Sequence, residues 1–312
     1  MKSAVLLLVF NRPEFTRTVF DVIRIARPPR LYIACDGPRA NVALDKSLVA
    51  ETRKIVSRID WPCAVSTRFL SNNLGCRVAV SGAVSWFFEK EPQGIILEDD
   101  CLPHADFFTY CDELLEYYKQ DERVFAIAGS NFQNGITRGE ADYYFSMYNH
   151  IWGWATWRRA WRHYDLNMRF WYAWKHSDHW KSMWSDPQQL KYWETLFDLA
   201  ASGDLDTWDY QWTACVWRHR GLTAVPNVNL ISNIGFNSHA THTKQEHSPL
   251  AALPLQSLHG QIRHPLTVSA HVAADSYTYD YCFRKGFSGV VRRSLSAVRD
   301  FARRYLRVGR AD

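Results

Sequence analysis

The amino-acid sequence predicts an α/β protein with a mainly parallel β-sheet and helices on both faces. In the first 130 residues, apolar runs of strand length alternate with segments of helical periodicity, which is the pattern of βαβ units. Several of these runs show no polar alternation, as expected for strands covered on both faces. The chain has 312 residues, of which 47% are hydrophobic and 22% charged, so it is long enough to bury a large core.

Each predicted element follows from its local pattern. The first run, AVLLLVF, predicts a buried strand and not a signal peptide, because Asn-Arg-Pro follows it without a small-residue cleavage site. Pro13 then suits the first turn of a helix in which Phe15, Val19 and Ile23 share one face. The predicted strands are 4–10, 30–37, 63–70, 94–97 and 123–129. The predicted helices are 13–26, 42–59, 75–89 and 104–119.

Beyond residue 130 the pattern changes to an aromatic-rich region. Most of the 14 Trp lie between Trp152 and Trp217, where we expect loops and short helices with most of the rings in the core. The later stretch GLTAVPNVNLISNIGFNSHATHT predicts short strands and turns. We therefore divide the chain into a first half (1–130), a second half of the same domain (131–250) and a C-terminal extension (251–312).

Cysteine usage and charge exclude several classes of protein. Seven Cys without a C-x-x-C pair indicate neither a disulfide framework nor a zinc site, which predicts a reducing, cytoplasmic compartment. Cys35, Cys76 and Cys111 are predicted to be small buried hydrophobes. Residues 284–312 hold nine of the 37 basic and two of the 32 acidic residues, which leaves 28 against 30 elsewhere. The net charge of +5 thus belongs to the tail, and the body is not that of a nucleic-acid-binding protein.

Three acidic residues end the fourth predicted strand. Glu98, Asp99 and Asp100 follow the apolar run GIIL directly. One interpretation is that they are solvated turn residues. The other is that they bind a hard divalent cation such as Mn²⁺ or Mg²⁺ and accept a ribose hydroxyl, since carboxylate oxygens suit both tasks. In parallel sheets ligands bind at the carboxyl ends of the strands, which favours the second interpretation.

Further polar side chains follow the other strands. Asn11 and Arg12 come after the first strand and Asp36 after the second. Asp-Gly-Pro is ordinary turn chemistry, and the alternative is that Asp36 accepts a base N–H of a nucleotide. Arg77 lies at the start of the third helix, where unpaired N–H groups and the helix dipole would favour a phosphate. No P-loop or G-x-G-x-x-G motif is present.

Four stretches, in order, resemble the donor half of a GT-A glycosyltransferase: LLLVFNRPE, YIACDGPR, NNLGCRVAVSGAVSWFF and GIILEDDCLPHADFF. The E-D-D at the strand end stands in the position of that fold's D-x-D motif. More narrowly, the chain resembles bacterial nucleotide-diphospho-sugar transferases of polysaccharide biosynthesis. These are similar in layout to the eukaryotic N-acetylglucosaminyltransferase that opens complex N-glycan synthesis. The likeness extends from about residue 4 to about residue 245, and it implies a GT-A type sheet with a nucleotide-sugar-binding first half and an acceptor-binding, catalytic second half.

The resemblance implies a role for each candidate in the first half. Asp100 matches the direct metal ligand, Asp99 the ribose-contacting acid and Glu98 the acid near the donor sugar. Asp36 matches the acid that binds uracil, which favours a UDP-linked donor. The residues that fall in the nucleotide-binding segments are Asn11, Arg12 and Arg77.

The resemblance also selects residues in the second half. IWGWATWRRAW resembles the segment before the acceptor site, and TWDYQW resembles the element whose carboxylate is the catalytic base. That match selects Asp209, which would otherwise be a helix-start acid beside Trp208, and Asp206 is a close alternative. SNIGFNSHATHT resembles the segment from which many GT-A enzymes add a metal-binding histidine, and we select His242 in preference to His239.

The function that the resemblance implies is a metal-dependent, inverting transfer of sugar from a nucleotide-diphosphate donor to a saccharide or lipid-linked acceptor. Asp209 would deprotonate the acceptor, and some Trp rings would stack on sugar faces. The alternatives are a retaining transferase and a non-catalytic, Trp-rich carbohydrate-binding protein. Clustering of the three acids with Asp36 and Asp209 around one cleft would disfavour the binding protein.

The C-terminal tail predicts a basic amphipathic helix at residues 289–308. Val291, Leu295 and Val298 share one side of this helix, and six arginines lie between Val291 and Val308. Such a helix suits an anionic membrane surface and predicts peripheral contact with the inner face of the cytoplasmic membrane. The alternative is that its apolar stripe packs on the body of the protein.

Overall fold

The computed structural model describes residues 1–236 and 250–284, and it contains a large and a small β-sheet. The strands are β1 (Ala4–Val9), β2 (Arg30–Cys35), β3 (Ala64–Phe69), β4 (Gln93–Glu98), β5 (Cys101–Pro103), β6 (Val124–Ala128), β7 (Tyr143–Ser146), β8 (Trp154–Trp157), β9 (Leu222–Pro226) and β10 (Ile231–Asn233). The helices are α1 (Pro13–Ala26), α2 (Asp45–Val56), α3 (Gly75–Lys90), α4 (Ala105–Tyr117), α5 (Arg158–Trp161), α6 (Trp171–Lys175), α7 (Asp178–Ser182), α8 (Pro187–Ser202), α9 (Asp209–Arg218) and α10 (Val272–Thr278), which a π-helical turn, Tyr279–Phe283, continues.

The large sheet has the strand order β3-β2-β1-β4-β8-β6-β9-β7. The parallel pairs are β1 with β2, β1 with β4, β2 with β3, and β6 with β9. Strand β8 is antiparallel to both β4 and β6, and β7 is antiparallel to β9. Six of the eight strands therefore run in one direction, and the predicted fold class, a mainly parallel sheet with helices on both faces, is confirmed. The small sheet pairs β5 with β10 in antiparallel fashion.

The central strand β1 explains why the first apolar run lacks alternation. Leu6 and Leu8 point to the face covered by α3, together with the tryptophan-rich segment. Leu7 and Val9 point to the opposite face, which α1, α2 and α4 cover. Since both faces of β1 are buried, every position in the strand must be apolar.

The five strands and four helices predicted in the first 130 residues are present as β1, β2, β3, β4, β6 and α1 to α4. The expectation of loops and short helices after residue 130 is wrong in two places. Strand β8 enters the centre of the sheet between β4 and β6, and α8 extends over 16 residues. All four residues of β8 are buried, so its sequence offers no polar alternation that would mark it as a strand.

The tryptophan rings form much of the core on the α3 face of the sheet. Those with less than 2% of their surface exposed are Trp154, Trp171, Trp180, Trp193, Trp212 and Trp217. Trp154 of β8 stacks on Trp208, with ring centroids 5.6 Å apart and an interplanar angle of 21°. The aromatic segment is therefore mainly structural, and it fixes α8 and α9 against the sheet.

The cysteines and the hydropathy of the helices can be compared with the predictions of buried thiols and membrane contact. All seven cysteines are unpaired; Cys35 and Cys111 are buried, whereas Cys76 is half-buried. Within residues 1–236 and 250–284, no helix combines the length and hydropathy needed to cross a bilayer. The predicted membrane-surface helix at 289–308 lies outside the described residues.

The buried carboxylate of Asp275 in α10 should make the free energy of unfolding depend on pH. It is buried, it accepts hydrogen bonds from the Ser146 hydroxyl and the Met147 N–H, and burial raises its pKa to about 6. Because the folded pKa lies above the ordinary value of 3.8, the ionised carboxylate destabilises the folded state. The cost is absent below pH 4 and complete above pH 6, and it amounts to about 3 kcal/mol at most.

The test compares wild type with Asp275→Asn. We expect the free energy of unfolding of the wild type to fall, relative to the variant, as pH rises from 4 to 6.5. Urea denaturation at several pH values measures this difference. Equal pH dependence in the two proteins would contradict the prediction.

Candidate active site

A cavity of about 1300 Å³ opens at the carboxyl ends of β1, β2 and β4. It exceeds the roughly 300–1,000 Å³ of ordinary small-molecule sites, so it has room for two substrates. The acidic residues that line it are Glu14, Asp36, Asp45, Glu51, Glu98, Asp99, Asp100, Asp206 and Asp209. The basic residues that line it are Arg12, Arg39 and Arg68. Nine carboxylates against three guanidinium groups indicate a site for a cation or for ligands rich in hydrogen-bond donors.

Asp99 and Asp100 follow β4 immediately and share one arginine. They are only 2% and 6% exposed. The guanidinium of Arg12 donates one N–H to Asp99 Oδ1 and another to Asp100 Oδ2, the second over 2.7 Å. Burial alone would lower the pKa of Arg12, but Asp99 and Asp100 together raise it well above its ordinary value. In the described residues, therefore, a single cation bridges the two carboxylates.

Glu98, the last residue of β4, has a different environment. No described residue donates a hydrogen bond to its carboxylate or forms an ion pair with it. Burial, and next the charge of Asp100, raise its pKa, and Asp209 contributes in the same direction. Glu98 and Asp209 therefore lie close enough to repel each other within the cavity. The charge of Arg12 acts in the opposite direction on the pKa of Glu98. A carboxylate that accepts no hydrogen bond from the described residues is available to a hydroxyl or a cation.

Asp36 is engaged by the protein itself. Its carboxylate accepts hydrogen bonds from the N–H groups of Gly37, Leu74 and Gly75 at 2.8 to 3.2 Å and from the Asn73 amide at 2.9 Å. These donors use the roughly four lone pairs that a carboxylate offers. Asp36 thus lies in the cavity wall as predicted, but in this arrangement it has no oxygen left for a uracil N–H.

A second carboxylate, that of Asp206, caps the first turn of α3. Asp206 accepts hydrogen bonds from the N–H groups of Cys76 and Arg77 at 3.1 and 2.9 Å, across 130 residues of chain. Together with Asp36 it pairs the N–H groups that the sequence analysis left for a phosphate. The expectation that a phosphate binds at this helix end is contradicted, because two side-chain anions already occupy the positive end of the helix. Gly75, with φ of +79°, allows the close approach, since a Cβ there would lie 2.9 Å from Asp206 Oδ2.

This capping predicts a stability cost for Asp206→Ala. Two N–H groups would lose their acceptor, and loss of a helix cap costs about 0.5–2 kcal/mol. Asp204→Ala is the matched control, because Asp204 is an exposed acid nearby whose side-chain partner is the hydroxyl of Ser202. Urea denaturation at pH 7 should show a lower free energy of unfolding for Asp206→Ala only. Equal values for the two variants would show that the cap contributes nothing.

Asp209 begins α9 and lines the cavity. Its carboxylate accepts a hydrogen bond from the hydroxyl of Thr207, two residues earlier. Thus Asp206 and Asp209 belong to one short segment but have different surroundings: Asp206 binds the α3 backbone, whereas Asp209 binds a single hydroxyl. Of the two alternatives, Asp209 is the acid with acceptor capacity remaining for a substrate.

The other predicted residues differ in whether they line the cavity. Asn11 lines the cavity, and its amide donates to Asp45, which also binds Arg39. Arg77 is not among the lining residues; its guanidinium donates to the Leu166 carbonyl at 2.9 Å. His242 lies outside the described residues. The cavity therefore gathers Asn11, Arg12, Asp36, Glu98, Asp99, Asp100 and Asp209.

Several residues of the site were not predicted from the sequence. Asn233, at the end of β10, lines the cavity, and Gly235 lies two residues later in the chain. A Cβ at Gly235 would lie 2.1 Å from Asp100 Oδ2, so only glycine fits against this carboxylate. Trp152 and Tyr210 add aromatic faces to the wall. The segment SNIG, which follows a predicted strand, was the available signal for the first two.

The carboxylates at the end of β4 are candidate ligands for a hard divalent cation, together with phosphate oxygens of a substrate. Asp99 and Asp100 present carboxylate oxygens, the ligands that Mn²⁺ and Mg²⁺ prefer, and Glu98 adds a third carboxylate, to which no described residue donates a hydrogen bond. Within the described part of the chain, no group of three or more His, Cys, Asp or Glu side chains is arranged so that it could hold a metal ion by itself. Asp100 and the neighbouring acids would hold the cation, and phosphate oxygens would complete its shell.

No protein-family model matches the chain. No curated protein sequence matches it either. Solved structures match at low identity. An apo UDP-glucose pyrophosphorylase is 7% identical, with 75% of this chain and 93% of that one covered and a TM-score of 0.38. TarS from S. aureus is 9% identical, with 51% and 47% covered and a TM-score of 0.33, so this chain spans about half of its length. The galactosyltransferase LgtC, in complex with donor and acceptor sugar analogues, is 12% identical, with 55% and 65% covered and a TM-score of 0.30.

Proposed function

We propose that the chain is a glycosyltransferase that uses a nucleotide-diphosphate sugar, a divalent cation and a saccharide or lipid-linked acceptor. The observation that carries the proposal is the set of carboxylates around one cavity at the carboxyl ends of parallel strands. Glu98, Asp99, Asp100 and Asp209 line it, and one arginine contacts two of them. Such an excess of negative charge suits a cation that brings a diphosphate with it.

The acceptor would react at Asp209. Its carboxylate takes the proton of an acceptor hydroxyl, and the hydroxyl oxygen forms a bond to the anomeric carbon. The bond from that carbon to the diphosphate breaks, and the electron pair leaves with the diphosphate. Thr207 holds the Asp209 carboxylate through its hydroxyl, and the charges of Glu98 and Asp209 interact, which supports a position of Glu98 beside the donor sugar. A bound divalent cation would supply charge neutralisation for the leaving diphosphate.

The apolar part of the cavity lining supports an acceptor with apolar surface. Trp152 and Tyr210 offer aromatic faces, on which the C–H surface of a sugar ring can pack. Leu196 and Leu199 of α8 continue the wall with aliphatic side chains. This lining suits a saccharide and also the apolar part of a lipid-linked acceptor.

The proposal is tested by a screen of nucleotide sugars. Purified protein is incubated with each donor, with Mn²⁺, Mg²⁺ or EDTA, and hydrolysis of the donor and the melting temperature are measured. A donor that is hydrolysed only with the cation supports the proposal. If no nucleotide sugar is hydrolysed or stabilises the protein under any of these conditions, a non-catalytic carbohydrate-binding protein becomes the better interpretation.

The stereochemistry of transfer requires a separate measurement. Once a donor is known, NMR of the first product formed gives its anomeric configuration. Inversion supports the role of Asp209 as base. Retention would leave the glycosyltransferase proposal intact but remove that role.

A further inference from the structure

The arginine that bridges Asp99 and Asp100 occupies the carboxylates that the proposed cation needs. The two terminal nitrogens of Arg12 bind different carboxylates, Nη1 to Asp100 and Nη2 to Asp99. The planar fork of a guanidinium group suits this bridging geometry. Arg12 itself is the residue that precedes α1, and its carbonyl oxygen accepts the N–H and the hydroxyl of Thr16, which fix its backbone at the start of the helix.

The surroundings of Asp100 leave little room for a second cation. Arg12 binds Oδ2, and the Gly235 backbone lies so close to the same oxygen that no Cβ would fit there. Asp100 Oδ1 faces the Cys101 thiol at 3.7 Å. A divalent cation on the Asp100 carboxylate would therefore lie next to the guanidinium, and two positive groups at that distance repel each other.

The two other arginines that line the cavity bind other groups and do not contact Asp99 or Asp100. Arg39 binds Asp45 through two nitrogens, and Arg68 donates to the Gly82 carbonyl. Among the described residues that line the cavity, Arg12 is thus the only cation in contact with Asp99 and Asp100. Without it, two nearly buried carboxylates would have no counter-ion among the residues that the structure describes.

We propose that Arg12 is the resident counter-ion of Asp99 and Asp100, and that a divalent cation and the Arg12 guanidinium exclude each other at Asp100. Binding of the cation releases the guanidinium into the cavity, where it becomes available to the diphosphate of the donor. This inference rests on the cation site of the proposed function.

The test uses Mn²⁺ alone. Free Mn²⁺ is followed by electron paramagnetic resonance while the full-length protein is titrated, without any nucleotide. Arg12→Gln removes the competing charge, and we expect it to bind Mn²⁺ about tenfold more tightly than wild type, because the repulsion between the guanidinium and the cation is lost. Arg30→Gln is the matched control, because Arg30 also pairs with a buried acid, Glu91, away from the cavity. Its Mn²⁺ affinity should equal that of wild type.

A second measurement needs no variant. In the wild type, the Arg12 side-chain N–H signals in ¹H–¹⁵N spectra should shift or broaden when Mg²⁺ is added, and the Arg30 signals should not. If wild type binds Mn²⁺ and Arg12→Gln binds it equally or more weakly, the proposed exclusion between the cation and Arg12 is overturned, but the cation site remains. Unchanged Arg12 signals at saturating Mg²⁺ overturn it as well. If neither protein binds Mn²⁺ even with UDP present, both the exchange and the cation dependence of the proposed function fail.

Discussion

Asp209→Asn is expected to lower the rate of sugar transfer by about 10²–10⁴-fold, the usual contribution of a general base. The amide cannot take the proton of the acceptor hydroxyl. Donor binding should remain, because the contacts proposed for the nucleotide and the diphosphate lie on Arg12 and the acids after β4. The measurement is turnover at saturating donor, with donor affinity determined separately by calorimetry.

Asp206→Asn is the control for Asp209→Asn. Asp206 lies three positions earlier and binds the N–H groups of Cys76 and Arg77, so its replacement should change turnover less than tenfold. If Asp206→Asn is the inactive variant and Asp209→Asn is not, the base has been assigned to the wrong acid. Since both residues lie in one segment, the comparison also controls for local distortion.

Asp100→Asn is expected to reduce cation-dependent binding of UDP by about a hundredfold or more, since even the residues that support a metal ligand contribute 10–100-fold. The substitution removes one of the charges that attract the cation and keeps the shape of the side chain. The fold should survive, because the β4 and β5 backbones that flank Asp100 remain paired with β1 and β10. Calorimetry with UDP, in Mn²⁺ and in EDTA, measures the effect.

Asp112→Asn is the matched control for Asp100→Asn. Asp112 accepts hydrogen bonds from the N–H groups of Lys2 and Ser3 and is not part of the cavity wall. Its replacement should leave UDP binding unchanged. Equal UDP affinity of the wild type in Mn²⁺ and in EDTA would contradict the cation dependence itself, whatever Asp100→Asn does.

Much of the candidate site could be predicted from the sequence because it follows from strand ends. Asn11, Asp36 and Asp99 come directly after buried apolar runs, and in a parallel sheet the carboxyl ends of neighbouring strands meet at one edge. The structure places these residues around one cavity. Their roles in binding remain predictions. Asp36 shows the reason, because its position after a strand can be predicted from the local sequence, whereas its hydrogen-bond partners cannot.

The sequence by itself determined the β-strands and helices of the first half, because hydrophobic periodicity is a local property of the chain. It also determined that acids end β4. Only the tertiary structure decided that β8 enters the sheet between β4 and β6, since a strand buried on both faces is defined by its partners. It also decided that, of two acids that line the cavity, Asp206 caps α3 whereas Asp209 lies close enough to Glu98 for their charges to interact. The two acids differ in contacts made across more than a hundred residues, and no short stretch of sequence carries that information.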